Sequence, residues 1–143
     1  MNRSTKRSAV AVVAGILFIV VVTTLVDILL HALGVFPPMS VPIDDRLAVL
    51  ATSYRIVISI AGAYLTARMA PTQPLKHALI LGAVGTVLGL VGVMATWGKG
   101  LGPTWYPIAL AVLAVPQCWV GGKLREMHLR ARPPTSEATT AGR

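Results

Sequence analysis

Asp27, His31 and Arg55 are the residues of this chain with the chemistry to hold a proton, an ion or a ligand in an apolar setting. Thr23, Asp27 and His31 follow one another at intervals of four, so a helix would line them up on one face. Asp27 and Arg55 are the two charges set well inside apolar blocks. A lone charge in hydrocarbon costs at least ~2.5 kcal/mol, and pairing is the obvious remedy. Two readings follow. An ion pair can fix the register of two helices. The same cluster, with an imidazole beside it, can serve as a proton or ligand site.

Four apolar blocks must position these residues. They run over about 9–35, 47–69, 75–96 and 104–122. Each holds roughly 20 residues or more, enough to cross ~30 Å of hydrocarbon at ~1.5 Å per residue. Prolines 37, 38, 42, 71, 74 and 103, with glycines 98, 100 and 102, break the chain between them. Asp44 or Asp45 suits the N-cap of the second helix. The connections are short, so consecutive helices should be antiparallel neighbours. The expected fold class is an all-α membrane protein, a four-transmembrane-helix antiparallel bundle over 9–123. A basic segment precedes it at 1–8, and a basic, partly disordered tail rich in Thr, Ala and Pro follows it at 124–143.

Composition agrees. Of 143 residues 55% are hydrophobic and 13% charged, against roughly a quarter charged in soluble domains. Mean hydropathy is +0.71. The net charge of +8 would suggest nucleic acid on a soluble protein, but the basic residues cluster beside the apolar blocks. There they act as topology signals and contacts for anionic lipid, and no nucleic-acid partner is expected. The first block is too long for a secretory signal of ~7–15 apolar residues, so a retained span is expected.

Lys and Arg set the orientation. Three precede the first block, two lie in the second connection and five follow the last block, against one in each of the other connections. The rich side, with both termini, is expected to be cytoplasmic. Trp97, Trp105 and Tyr106 then lie at the outer interface, where amphipathic rings prefer to be. Their depths and opposed side-chain lean bring Asp27 and Arg55 together in the outer half of the bundle, with His31 near them.

Small residues recur on single faces. Thr52, Arg55, Ser59, Gly62 and Thr66 share a face of the second helix. In the third, Gly82, Gly85, Gly89 and Gly92 form a stripe that contains a G-x-x-x-G and should pack against another helix. Pro116 should kink the fourth helix, and Gln117 can hydrogen-bond a neighbouring helix. His77 and His128 fall at the cytoplasmic boundary and should be solvated. The single Cys118 excludes an internal disulfide and any Cys-x-x-Cys site. No catalytic set, cofactor fingerprint or metal site is legible, and no internal repeat supports an inverted-repeat transporter.

The run from Gly62 to Pro71, the triplet Trp105-Tyr106-Pro107 and the stretch from Gly121 to Arg125 resemble segments of small four-span bacterial inner-membrane proteins without an assigned activity. The resemblance covers nearly the whole chain. It implies the bundle fold and a bacterial inner membrane, and no functional residues. Small multidrug exporters are also four-span and carry a carboxylate in the first helix. Here that acid is near the outer end of the helix and an arginine faces it. The expected function is a non-enzymatic accessory or assembly component in the lipid bilayer, with a membrane-protein partner or a second copy of itself and no cofactor. The alternative is a small oligomeric transporter or channel using Asp27, His31 and Arg55.

Overall fold

The computed structural model describes residues 3–38 and 40–131. Four helices account for most of them: α1 (Arg3–Ala32), α2 (Asp45–Met69), α3 (Pro74–Thr96) and α4 (Trp105–Arg130). No strand occurs among the described residues. All four helices are long and apolar enough to cross a membrane, and their spanning windows leave most residues unburied within the chain. In water the exposed faces of α1 and α3, which carry Val13, Leu17, Val21, Val87 and Met94, would be untenable. In lipid they are the solvent-facing surface.

Local chemistry sets the helix ends. Gly34 adopts φ +70°, and Val35 N–H reaches Leu30 O at 2.9 Å while Gly34 N–H reaches His31 O at 3.0 Å. This glycine-terminated cap ends α1 three residues earlier than the apolar block does. At the other end α1 begins at Arg3, inside the basic segment 1–8, because nothing in that segment breaks a helix. Asp44 caps α2 by accepting from Leu47 N–H at 2.9 Å. Pro74 occupies the first turn of α3, where a missing N–H costs nothing. Helix α4 continues through Pro116 and past residue 122 to Arg130. Part of the expected tail, 124–130, is therefore helical, since its Leu, Arg, Glu and Met are good helix formers. The remainder of that tail, 132–143, lies outside the described residues.

Consecutive helices are antiparallel. The bundle thus has a terminal end, holding the α2–α3 connection and the described chain ends, and a far end, holding the other two connections. Around the bundle the order is α1, α2, α4, α3, with α1 and α4 on opposite corners. The terminal half is closed by small residues. Gly15 of α1 lies against Gly62, Thr66 and Leu81, so that any Cβ there would overlap the Thr66 hydroxyl. Gly121 of α4 lies on Ala63 and the backbone of Ile60 and Tyr64 of α2, and Gly122 lies on Ala78 and Leu75 of α3. Ala63, Ala67, Ala78, Leu81 and Cys118 form the buried core at this level. Where lipid supplies no hydrophobic drive between helices, such close backbone approach is what dispersion needs.

The α3 glycines form the α3–α4 seam, with one exception. A Cβ at Gly82 would come within 3.0 Å of Cys118 and Val115, and one at Gly89 within 2.8 Å of Ala111. At Gly85 the nearest atom is Ala114 Cβ at 3.3 Å. Gly92 faces open space, with nothing within 4 Å. The expected packing role of Gly92 is therefore corrected: at this end a cavity lined by Val93, Thr96, Tyr106 and Pro107 lies between α3 and α4. Thr86 Oγ1 adds a hydrogen bond across the seam to Ala111 O at 3.1 Å. At the far end Trp105 Nε1 donates to Asp45 Oδ1 at 2.7 Å, and Ile43 N–H reaches Leu101 O at 3.3 Å. These bonds tie the two far-end connections together.

Candidate functional site

Helix α1 presents Asp27 about one and a half turns before its end, and α2 presents Tyr54 and Arg55 about two and a half turns after its start. The helices run in opposite directions, so each side chain leans toward the other. Arg55 donates from a terminal guanidinium nitrogen to Asp27 Oδ2 at 2.6 Å. The Tyr54 hydroxyl donates to the other oxygen, Oδ1. Both carboxylate oxygens are engaged, one by a charge and one by a phenol. The Arg55 guanidinium also lies 5.9 Å from the Tyr54 ring centroid, within cation–π range. Asp27 and Arg55 are each 30% exposed, so the pair lies part-way into the bundle rather than in its core.

The expected Asp27–Arg55 contact is present. Tyr54 was not singled out by the sequence reading, and only its place beside Arg55 could have flagged it. His31 is near the pair but does not join it. Its Nδ1 lies 2.7 Å from the backbone carbonyl of Asp27, one turn back, and its ring stacks at 5.4 Å on Phe36. A carbonyl only accepts, so Nδ1 is the protonated nitrogen. Phe36, just 6% exposed, folds the α1–α2 connection back over the imidazole. His31 thereby closes the end of α1, and it touches the Asp27 backbone rather than the charged side chains.

Next to the pair lies a cavity of about 310 Å³ lined by residues of all four helices. Its walls are mainly Ile, Leu and Val, and its polar lining is Thr23, Arg55, Ser59 and Gln117. Thr23 is the first member of the α1 face predicted from spacing, and Ser59 belongs to the predicted α2 face. Gln117 was read as able to bond a neighbouring helix. It is 6% exposed, lines the cavity and takes part in none of the side-chain hydrogen bonds among the described residues.

The other histidines separate. His128 is exposed and tilts against Tyr64, as a boundary residue should. His77 is 7% exposed, with Nδ1 3.1 Å from Gln73 O. The expected solvation of His77 is corrected, because the first turn of α3 tucks beneath the bundle. Among the described residues no three His, Cys, Asp or Glu side chains converge as a metal would require. What the site can do is narrower. It neutralises two intramembrane charges and leaves several hydrogen-bonding groups facing an apolar void. No protein-family model matches this chain, and neither a curated protein nor a solved structure does.

Proposed function

We propose that the chain is a non-enzymatic accessory or assembly protein of the bacterial inner membrane, with both termini in the cytoplasm. The observation that carries this reading is the closed terminal half. Gly15, Gly62, Gly121 and Gly122 bring helix backbones together there, directly below the central cavity. A single copy so packed has a rigid base and no conduit along its axis. The paired state of Asp27 and Arg55 supports the same reading, because a buried ion pair serves to fix the register of two helices. The asymmetry of Lys and Arg supports the orientation. Extensive apolar faces on α1 and α3 suit a partner helix as well as lipid.

The cavity favours a second reading, a small transporter working as an oligomer, since its polar lining includes one member of the intramembrane ion pair. Gentle extraction from native membrane separates the two. The accessory reading expects a stoichiometric partner of different mass to co-purify. Recovery of homo-oligomers alone, with solute flux in vesicles that disappears in Arg55→Gln, overturns it.

A further inference from the structure

We propose that the central cavity binds the head of an uncharged amphiphile, a molecule with an apolar chain and a hydrogen-bonding but neutral polar group, entering from the lipid phase between α1 and α3. The inference stands whether the chain acts as an accessory protein or as a transporter. Three observations carry it.

The first is unsatisfied polarity. Thr23 and Gln117, 8% and 6% exposed, both line the cavity, and neither side chain makes a hydrogen bond among the described residues. Ser59 lines it too, and Arg55 Nε is buried without a partner. A buried donor without a partner, such as Arg55 Nε, is costly, and a ligand that supplies partners recovers that cost.

The second is charge. The guanidinium facing the cavity is already neutralised by Asp27 at 2.6 Å. A charged head group entering here would lose its hydration and find no uncompensated counter-charge. A hydroxyl, carbonyl or amide loses less and can both donate to and accept from the Gln117 amide and the two hydroxyls.

The third is the mouth. Of the residues that line the cavity, Val20 of α1 and Leu88 of α3 are the ones more than half exposed, at 55% and 57%. They form an apolar rim on the flank of the bundle, in the middle of both helices. Such a rim admits a molecule dissolved in the bilayer. The cavity volume of about 310 Å³ is at the lower end of small-molecule pockets, enough for a head group and the first part of a chain.

The test uses the full chain in phosphatidylcholine nanodiscs. Three photoactivatable C16 probes differ only in the head: an alcohol, a sulfate and a trimethylammonium. The alcohol should label residues at the Val20–Leu88 rim, and an excess of plain hexadecanol should suppress that labelling. The two charged probes should label the rim at least about fivefold less, the penalty for desolvating an uncompensated charge. Gln117→Leu, close in volume but without the amide, should cut alcohol labelling about tenfold at most, the scale of one hydrogen bond. Leu88→Trp should abolish it by filling the mouth. Circular dichroism and melting like the parent's show that each variant is folded. Should Gln117→Leu fail to fold, Ser59→Ala carries the same test with a smaller reduction. Equal rim labelling by all three heads overturns the proposal. So does labelling spread over lipid-facing positions such as Val10 and Val57, or a second copy of the chain cross-linked across the rim in place of the probe.

Discussion

At the scale of single residues, the Asp27 carboxylate explains itself by its neighbours. Arg55 balances its charge and Tyr54 fills its second oxygen, so a group expensive in hydrocarbon becomes a lock between α1 and α2. Asp27→Asn leaves Arg55 unbalanced, and Arg55→Gln leaves Asp27 unbalanced. Each should lower stability by roughly 2–3 kcal/mol, the cost scale of an isolated intramembrane charge. The double variant should lose less than the sum of the two by about 1 kcal/mol or more, measured by unfolding in mixed micelles. Strict additivity would mean that the two side chains do not interact. Tyr54→Phe should cost about 1 kcal/mol, one hydrogen bond, while Asp27 and Arg55 stay paired. The ion pair was legible in the sequence because a buried charge demands a partner and only one was at matching depth. Tyr54 was not, because a phenol in an apolar block needs no partner to be tolerated. The place of Gln117 was not legible for a related reason. An amide in a span can bond a neighbouring helix, but the presence of a cavity beside it is a tertiary property that no local spacing reports.

At the scale of helices, the closeness of packing follows small residues but differs from one position to the next. The third helix shows the range in its own glycines. A Cβ would meet Ala111 at 2.8 Å from Gly89, Ala114 at 3.3 Å from Gly85, and nothing within 4 Å from Gly92. Alanine at these three positions should therefore be clearly destabilising, mildly so and neutral, in that order, with the first costing about 1–3 kcal/mol as overpacked sites do. Leucine should disrupt assembly at Gly85 and Gly89 and be tolerated at Gly92. Thermal melting of the series in detergent checks the ranking, and equal behaviour at Gly89 and Gly92 would contradict the seam. Helix Gly121→Ala should be as harmful as Gly89→Ala, since its Cβ would crowd Ala63 at 2.7 Å and Tyr64 N at 2.9 Å. The sequence showed that α3 carried a packing stripe because period and small size coincide. It could not show where the stripe stops, since that depends on the cavity between α3 and α4 at this end. The bounds of α1 and α4 were blurred for a different reason. Hydropathy marks the apolar block, whereas caps such as Gly34 and the helix-forming residues after Gly122 decide where hydrogen bonding ends.

For the whole molecule, four helices of spanning length and apolarity give a multi-pass membrane protein, tight at its terminal end and hollow above. That much was legible, because long apolar blocks with breakers between them admit few other folds. The hollow was not, since a cavity is the residue of packing that fails to close, and composition is silent on it. Everything said of depth, of the paired charges and of the lateral mouth depends on the chain crossing the bilayer four times with its terminal end in the cytoplasm. Cysteine labelling tests this directly, because the native Cys118 is 3% exposed and the parent chain serves as a blank. Single cysteines placed at Ser40, Thr72 and Lys99 put one thiol in each connection. With a membrane-impermeant maleimide on intact cells, the account predicts labelling of Ser40→Cys and Lys99→Cys, and of Thr72→Cys only after the inner membrane is opened. Labelling of Thr72→Cys in intact cells, with Ser40→Cys and Lys99→Cys protected, would contradict it.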